Sequence, residues 1–128
     1  MENQVLSIEQ MQELEKLGID TSNASMFWYR CYRFKQLIPC SDRDTIKDWT
    51  NQHGENCIIP TFTLQDILEI LPSYKITYDK FTNDSDKYEI KVNILEGQHY
   101  ITHIAQSSES LLKAAFTMLK WCKQNNYI

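Results

Sequence analysis

The chain has little glycine or proline, and it lacks the long apolar runs that mark membrane proteins. Three glycines and three prolines among 128 residues leave little room for long irregular loops. No apolar run approaches the roughly 18 residues of a membrane-spanning helix. A chain of this length suits one domain and typically buries about two-thirds of its unfolded surface on folding. We therefore expect a single globular domain over residues 1–128 and no membrane partner.

Paired cysteines are also missing, since the four cysteines are scattered and no two form a C-x-x-C pair. The first residues are polar and lack the basic segment of a secretory leader. Disulfides persist mainly in oxidising compartments, so a chain without a leader is expected to keep its thiols reduced. We therefore predict a cytoplasmic protein with reduced cysteines. The four positions are Cys31, Cys40, Cys57 and Cys122.

The chain has no excess of positive charge, since its formal net charge at pH 7 is −4. Affinity for a nucleic-acid backbone requires a basic surface, so the charge balance argues against a nucleic-acid partner. The negative total is too small to suggest a mimic of DNA. It favours solubility and indicates little more.

Recognisable catalytic and cofactor motifs are missing as well. The chain contains no G-x-G-x-x-G, no P-loop, no paired zinc framework and no calcium loop. His99 and His103 lie four residues apart on a predicted strand, about 13 Å along it, which is too far to share one metal ion. We predict that the protein is not an enzyme and holds no cofactor or metal. The alternative is an enzyme or zinc site built from dispersed residues around Cys40, His53 and Cys57.

One segment is unusual against this background. Residues 25–34, with the sequence SMFWYRCYRF, contain five aromatic residues and two arginines. On a regular strand alternate side chains face opposite sides. One side would carry Trp28, Arg30, Tyr32 and Phe34, and the other Phe27, Tyr29, Cys31 and Arg33. Because both sides are aromatic, we expect both to be covered, either by the rest of the chain or by a partner.

Three interpretations of this aromatic segment remain open. Tryptophan, tyrosine and arginine are enriched at the energetic centres of protein interfaces, which favours a protein partner or a homodimer. Exposed aromatic rings also stack on the bases of single-stranded nucleic acid, which is the alternative function. A strand covered on both sides by its own chain would have the same composition. The predicted binding residues are Trp28, Tyr29, Arg30, Tyr32 and Arg33.

Three amphipathic helices are predicted from apolar stripes at helical spacing. They cover residues 7–17, 64–71 and 108–124. Ser7 and Gln10 have the pattern of a capping box. Thr63 and Asp66 form a second cap signal, and Ser107-Ser108 is the predicted cap of the last helix.

Apolar and polar residues alternate over residues 74–78 and 88–94, and residues 99–104 are predicted as a third strand. The three strands are expected to form an antiparallel meander with one buried face. Together with the helices, this pattern predicts an α+β fold, in which an antiparallel sheet of three or four strands carries the helices. Residues 36–61 combine loop signals with a short helical pattern over 42–49, and the sequence does not place them.

Parts of the chain resemble a group of small uncharacterised proteins encoded in bacterial phages and prophages. The similar stretches are residues 14–25 with the aromatics after them, 60–72, and 114–122 running to the C-terminus. Such proteins often end in Asn-Gly-Tyr, and here Asn126 takes the glycine position before Tyr127; asparagine tolerates the left-handed conformation. The resemblance implies a compact α+β protein of phage or prophage origin. It brings no functional residue with it.

Overall fold

The computed structural model contains two antiparallel sheets of three strands each within the residues that it describes. These residues are 4–31, 34–39, 43–54, 57–80 and 86–128. The predicted α+β class is confirmed. The chain divides into two compact units, Met1–Asp66 and Ile67–Ile128. The prediction of a single domain stays a prediction.

The helices and strands follow each other in a simple order along the chain. The first unit contains α1 (Ile8–Lys16), β1 (Met26–Cys31), β2 (Phe34–Pro39), α2 (Arg43–His53), β3 (Ile58–Thr61) and the start of α3 (Leu64–Ile70). The second unit contains the rest of α3, β4 (Tyr74–Lys80), β5 (Asp86–Glu96), β6 (His99–Ser107) and α4 (Leu111–Gln124). Among the described helices, none is long and apolar enough to cross a membrane.

Helix α1 begins and ends close to the predicted bounds because local side-chain and backbone bonds satisfy both of its ends. The Ser7 hydroxyl accepts from the Gln10 N–H at 3.1 Å, and the Gln10 side chain accepts from the Ser7 N–H at 2.9 Å. At the other end Gly18 takes a φ of 87°. The Ile19 N–H then donates to the Leu14 carbonyl at 3.2 Å. This is the long bond of a Schellman motif, so the predicted cap and stop are both confirmed.

The first sheet has the order β2-β1-β3, with β1 in the centre. Cys31 at the end of β1 is the partner of Phe34 at the start of β2. The prediction that residues 25–34 form one strand was therefore wrong, because the aromatic segment contributes to two strands of a hairpin. The local alternation of side chains carried no information about this reversal.

Strand β3 and helix α2 come from the region that the sequence left unplaced. Helix α2 includes most of the helical pattern predicted over residues 42–49. Strand β3 pairs with β1 from Met26↔Thr61 to Tyr29↔Ile58. It is an edge strand that contains Pro60, and edges are where sheets accept proline.

The second sheet has the order β4-β5-β6 and forms the predicted meander. The turn between β5 and β6 has two residues, and Gly97 supplies the positive φ of 64° at the first of them. Helix α4 packs on β5 and β6. Ile90, Val92 and Ala105 are buried on the face that it covers.

The end of α4 forms a second Schellman motif. Asn126 has a φ of 63°, and its N–H donates to the Lys123 carbonyl at 3.2 Å. The Tyr127 N–H donates to the Cys122 carbonyl at 2.8 Å. Asn126 therefore takes the left-handed position for which glycine is the usual residue.

The start of α4 differs from the prediction. Strand β6 extends to Ser107, and the N-cap is Ser110, whose hydroxyl accepts from the Lys113 N–H at 3.0 Å. The Ser107 hydroxyl accepts from the Glu109 N–H at 3.0 Å and so supports the turn before the helix. The prediction that Ser107-Ser108 caps the helix was therefore wrong, because Ser107 is the last residue of β6 and the helix begins only after Ser110, three residues later.

We expect Ser110→Ala to lower the free energy of unfolding by about 1 kcal/mol, since alanine leaves an N-terminal N–H of α4 without its acceptor. Urea denaturation followed by circular dichroism measures this loss. Ser108→Ala is the matched control and should change the stability by less than about 0.5 kcal/mol. Equal losses in the two variants would contradict the assignment of the cap.

Candidate functional site

The two central aromatic residues of the predicted binding segment lie in the interior. Trp28 is 2% exposed and Tyr29 is 8% exposed, although they face opposite sides of β1. Trp28 packs against Val5 and Ile8, with Met26, Leu37 and Ile59 beside it. The rest of the chain thus covers the Trp28 side of this strand, which is one of the three interpretations that the sequence left open.

The polar edge of the Trp28 indole is also satisfied inside the protein. Its Nε1–H donates to the Leu6 carbonyl at 2.9 Å, and the Thr61 hydroxyl donates to the same oxygen at 2.6 Å. The Lys35 ammonium lies 4.9 Å from the centre of the Trp28 ring, within range of a cation–π contact. These contacts hold the segment before α1 against β1 and β3.

The other predicted binding residues have different environments. Arg30 is exposed on β1. Tyr32 and Arg33 lie outside the described residues. Of the three predicted binding residues that the structure describes, Trp28 and Tyr29 are therefore buried on opposite sides of β1, and Arg30 alone is exposed. Binding through Arg30, Tyr32 and Arg33 stays a prediction.

Asp66 is a buried side chain of the first unit with several hydrogen bonds. It is 9% exposed, and its Oδ2 atom accepts from the Thr63 N–H at 3.0 Å. The same oxygen accepts from the Ser25 N–H at 3.0 Å and from the Ser25 hydroxyl at 2.7 Å. The Asp66 N–H in turn donates to the Thr63 hydroxyl at 3.1 Å. This carboxylate closes the predicted cap of α3 and also holds the residue before β1, a structural role that the sequence did not indicate.

The dispersed group proposed for catalysis or zinc binding is not assembled by the described residues. His53 ends α2, Cys57 is half-buried near the start of β3, and Cys40 lies outside the described residues. Within the parts of the chain that the structure describes, no three His, Cys, Asp or Glu side chains are placed to hold a metal ion.

The two histidines of β6 have separate environments. His99 is exposed, whereas His103 stacks on Trp121 of α4 with ring centres 3.8 Å apart and planes 2° apart. Partial burial lowers the pKa of His103. The sequence placed both histidines on one face of an edge strand, but the aromatic partner comes from α4 and could not be read from their spacing.

The cysteines provide a direct check on thiol chemistry. Cys122 is fully buried in α4, and burial raises its pKa to about 11. A thiol is reactive as the thiolate, so Cys122 should resist alkylation by iodoacetamide at pH 7.5 while the protein is folded. Cys57 is half-buried and should be labelled before Cys122. Peptide mass spectrometry after a timed reaction measures both, and denatured protein is the control. Rapid labelling of Cys122 in the folded protein would contradict its burial.

Exposed apolar residues of the described chain are concentrated on the second sheet. Six large apolar side chains are 38–72% exposed, and all of them lie on β4, β5 or β6. We divide them into the β4 stripe, which consists of Tyr74, Ile76 and Tyr78, and the outer patch, which consists of Leu95, Tyr100 and Ile104.

The outer patch lies on the face of the sheet turned away from α4. Leu95 and Tyr100 are direct cross-strand partners and are 59% and 72% exposed. Ile104, on the same face of β6, is 44% exposed. The meander was predicted to bury one face only, and apolar residues on the other face were not part of that prediction.

The β4 stripe lies on the same face as the buried residues of β5. Tyr74 and Ile76 are the cross-strand partners of Val92 and Ile90, which are fully buried. The stripe nevertheless stays 38–50% exposed. Its alternation is the same as that of a buried strand, so the sequence alone could not have identified it as a surface.

No protein-family model, no curated protein and no solved structure matches this chain.

Proposed function

We propose that this protein is a non-catalytic protein-interaction module that acts in the cytoplasm, of the accessory kind encoded by phages and prophages. The observation that supports an interaction role is the concentration of exposed apolar side chains on the second sheet. Contiguous exposed apolar patches on otherwise polar surfaces commonly mark protein-binding sites. The phage origin rests on the resemblance of the sequence.

The outer patch combines an exposed apolar pair, Leu95 and Tyr100, with a polar pair, Asn93 and Thr102, that lies between them and Ile104; protein interfaces commonly mix apolar and polar residues in this way. The Thr102 hydroxyl donates to the Asn93 side chain at 2.8 Å in the row next to Leu95 and Tyr100. Tyrosine is enriched at the energetic centres of interfaces because it buries a large area at a small cost in side-chain entropy. Tyr100 is therefore the residue that we expect to contribute most to partner binding.

The nucleic-acid alternative loses its main support in this structure. It relied on bases stacking on Trp28, and the indole is buried and hydrogen-bonded. The negative net charge also opposes it. Titration of a labelled oligonucleotide at low salt should show no binding.

The interaction role is tested by capture from a bacterial lysate with quantitative mass spectrometry. The bait is the wild-type chain, and the test bait is the double variant Leu95→Ser/Tyr100→Ser. The matched control is Gln12→Ala/Lys16→Ala, since both of these residues are exposed on α1. We expect a partner that the wild type and the control enrich equally and that the test bait loses. The proposal would be contradicted if no protein is enriched, or if the test bait enriches the same proteins as the wild type.

A further inference from the structure

Strand β4 is an edge strand with a defined hydrogen-bonding direction. Its strand partner among the described residues is β5 alone. The Asn93 N–H donates to the Ser73 carbonyl at 3.1 Å. In an antiparallel ladder such bonds recur at every second residue, so Lys75 and Thr77 also direct their backbone groups to β5. The backbone groups of Tyr74 and Ile76 consequently point to the open edge, where a further strand would bond.

The side chains of the same two residues supply the apolar half of a binding surface. Tyr74 and Ile76 are 41% and 38% exposed on the face of the sheet that carries α4. A strand added beside β4 would place every second side chain next to them. Apolar side chains at those positions would cover the β4 stripe, whereas α4 packs on β5 and β6.

On the opposite face of the sheet, the same edge carries a pair of lysines. Lys75 lies directly opposite Lys91 of β5, and like charges in this position destabilise a sheet. The nearest carboxylate of β5 on that face is Glu89, which accepts from the Gln106 amide of β6 at 2.8 Å. The Glu89 side chain is therefore hydrogen-bonded to β6, on the side of β5 away from Lys75. An added strand that carries a carboxylate opposite Lys75 would offset the repulsion between the two lysines.

We propose that the open edge of β4 binds an extended segment of a partner protein in which apolar and acidic residues alternate. The apolar side chains pack on Tyr74 and Ile76, the acidic side chains pair with Lys75, and the backbone continues the sheet. This mode of recognition takes its affinity from main-chain hydrogen bonds and its specificity from alternate side chains. The inference rests on the proposed function and names the chemistry of the partner.

A synthetic peptide tests this inference. The probe is a fluorescein-labelled ten-residue peptide of alternating valine and glutamate, and the matched control replaces glutamate with lysine. Fluorescence anisotropy at low salt should show binding of the glutamate peptide and little or none of the lysine peptide. Lys75→Glu should weaken the glutamate peptide by about three- to tenfold and improve the lysine peptide. Equal binding of both peptides, or no effect of Lys75→Glu, would overturn the inference.

A second variant tests the backbone contribution. Ile76→Pro removes an N–H that points to the open edge and leaves the bonds to β5 in place. It should abolish binding of the glutamate peptide while circular dichroism shows a folded protein; if it does not fold, Lys75→Glu decides alone. A wild-type dimer in light scattering that Ile76→Pro converts to a monomer would assign the edge to a second copy and overturn the inference.

The inference and the proposed function fail in different ways. Leu95→Ser/Tyr100→Ser should bind the glutamate peptide as the wild type does, because the outer patch lies on the other face of the sheet. If the peptide does not bind and the lysate partner is still captured through the outer patch, only the edge-strand inference is lost. If the lysate capture also gives no partner, the interaction role itself is contradicted.

Discussion

Asp66→Ala is expected to lower the free energy of unfolding by about 2–4 kcal/mol. One carboxylate oxygen of this residue accepts three hydrogen bonds, from the Thr63 N–H and from the N–H and hydroxyl of Ser25. Hydrogen bonds to a charged acceptor are worth more than neutral ones, and the donors left behind are partly shielded from water. The same change removes half of the capping box of α3.

Urea denaturation of four variants separates these contributions: Asp66→Ala, Ser25→Ala, the double variant of these two, and the control Glu15→Ala. Glu15→Ala removes an exposed carboxylate from α1 and should change the stability by less than about 0.5 kcal/mol. Ser25→Ala should cost less than Asp66→Ala, because it removes one of the three bonds. The double variant should cost less than the sum of the two single changes, since they share a bond. Strict additivity would mean that the Ser25 hydroxyl and the Asp66 carboxylate do not interact in solution.

Trp28→Ala is expected to lower the free energy of unfolding by about 3–5 kcal/mol, as truncations of large buried aromatic residues do. The indole is almost completely buried, and its neighbours come from three parts of the first unit. Val5 and Ile8 lie near the N-terminus, Leu37 lies on β2, and Ile59 lies on β3. Trp28→Phe should cost less, about 1–2 kcal/mol, because most apolar contacts remain. The Leu6 carbonyl also keeps the Thr61 hydroxyl as a donor in that variant.

The control for this prediction is Tyr100→Ala, which truncates an aromatic residue that is 72% exposed. It should change the stability by less than about 0.5 kcal/mol. Light scattering on the wild type and on Trp28→Ala completes the test. A wild-type dimer that Trp28→Ala converts to a stable, folded monomer would place the indole at an interface and contradict its role in the core.

The helices were predictable because their signals are local. The reciprocal bonds of Ser7 with Gln10, and of Thr63 with Asp66, join residues three positions apart, which is what a capping pattern encodes. The arrangement of the first sheet was not predictable in this way. Its β1–β3 pairing joins Phe27 to Pro60 across the whole of α2. A short strand that contains proline gives no reliable local signal.

The candidate binding surfaces were harder to predict for a related reason. The composition of the aromatic segment indicates that both sides of the strand are buried. It does not indicate whether the rest of the chain or a partner buries them. The N-terminal residues Val5 and Ile8 cover Trp28, and their contact depends on the path of the backbone before α1. The β4 stripe is the opposite case, since its pattern predicts burial. Its exposure follows from the position of α4, which packs on β5 and β6.

The hydrogen bond from the Trp28 indole to the Leu6 carbonyl provides an intrinsic spectroscopic probe. An indole N–H resonates in an uncrowded region of a proton NMR spectrum, and the chain has three tryptophans. The Trp28 Nε1–H is buried and bonded to the segment that precedes α1. Its exchange with deuterium therefore requires that segment to detach from β1 and β3. The rate at which one resonance disappears would thus report the opening of the N-terminal segment, without any label or substitution.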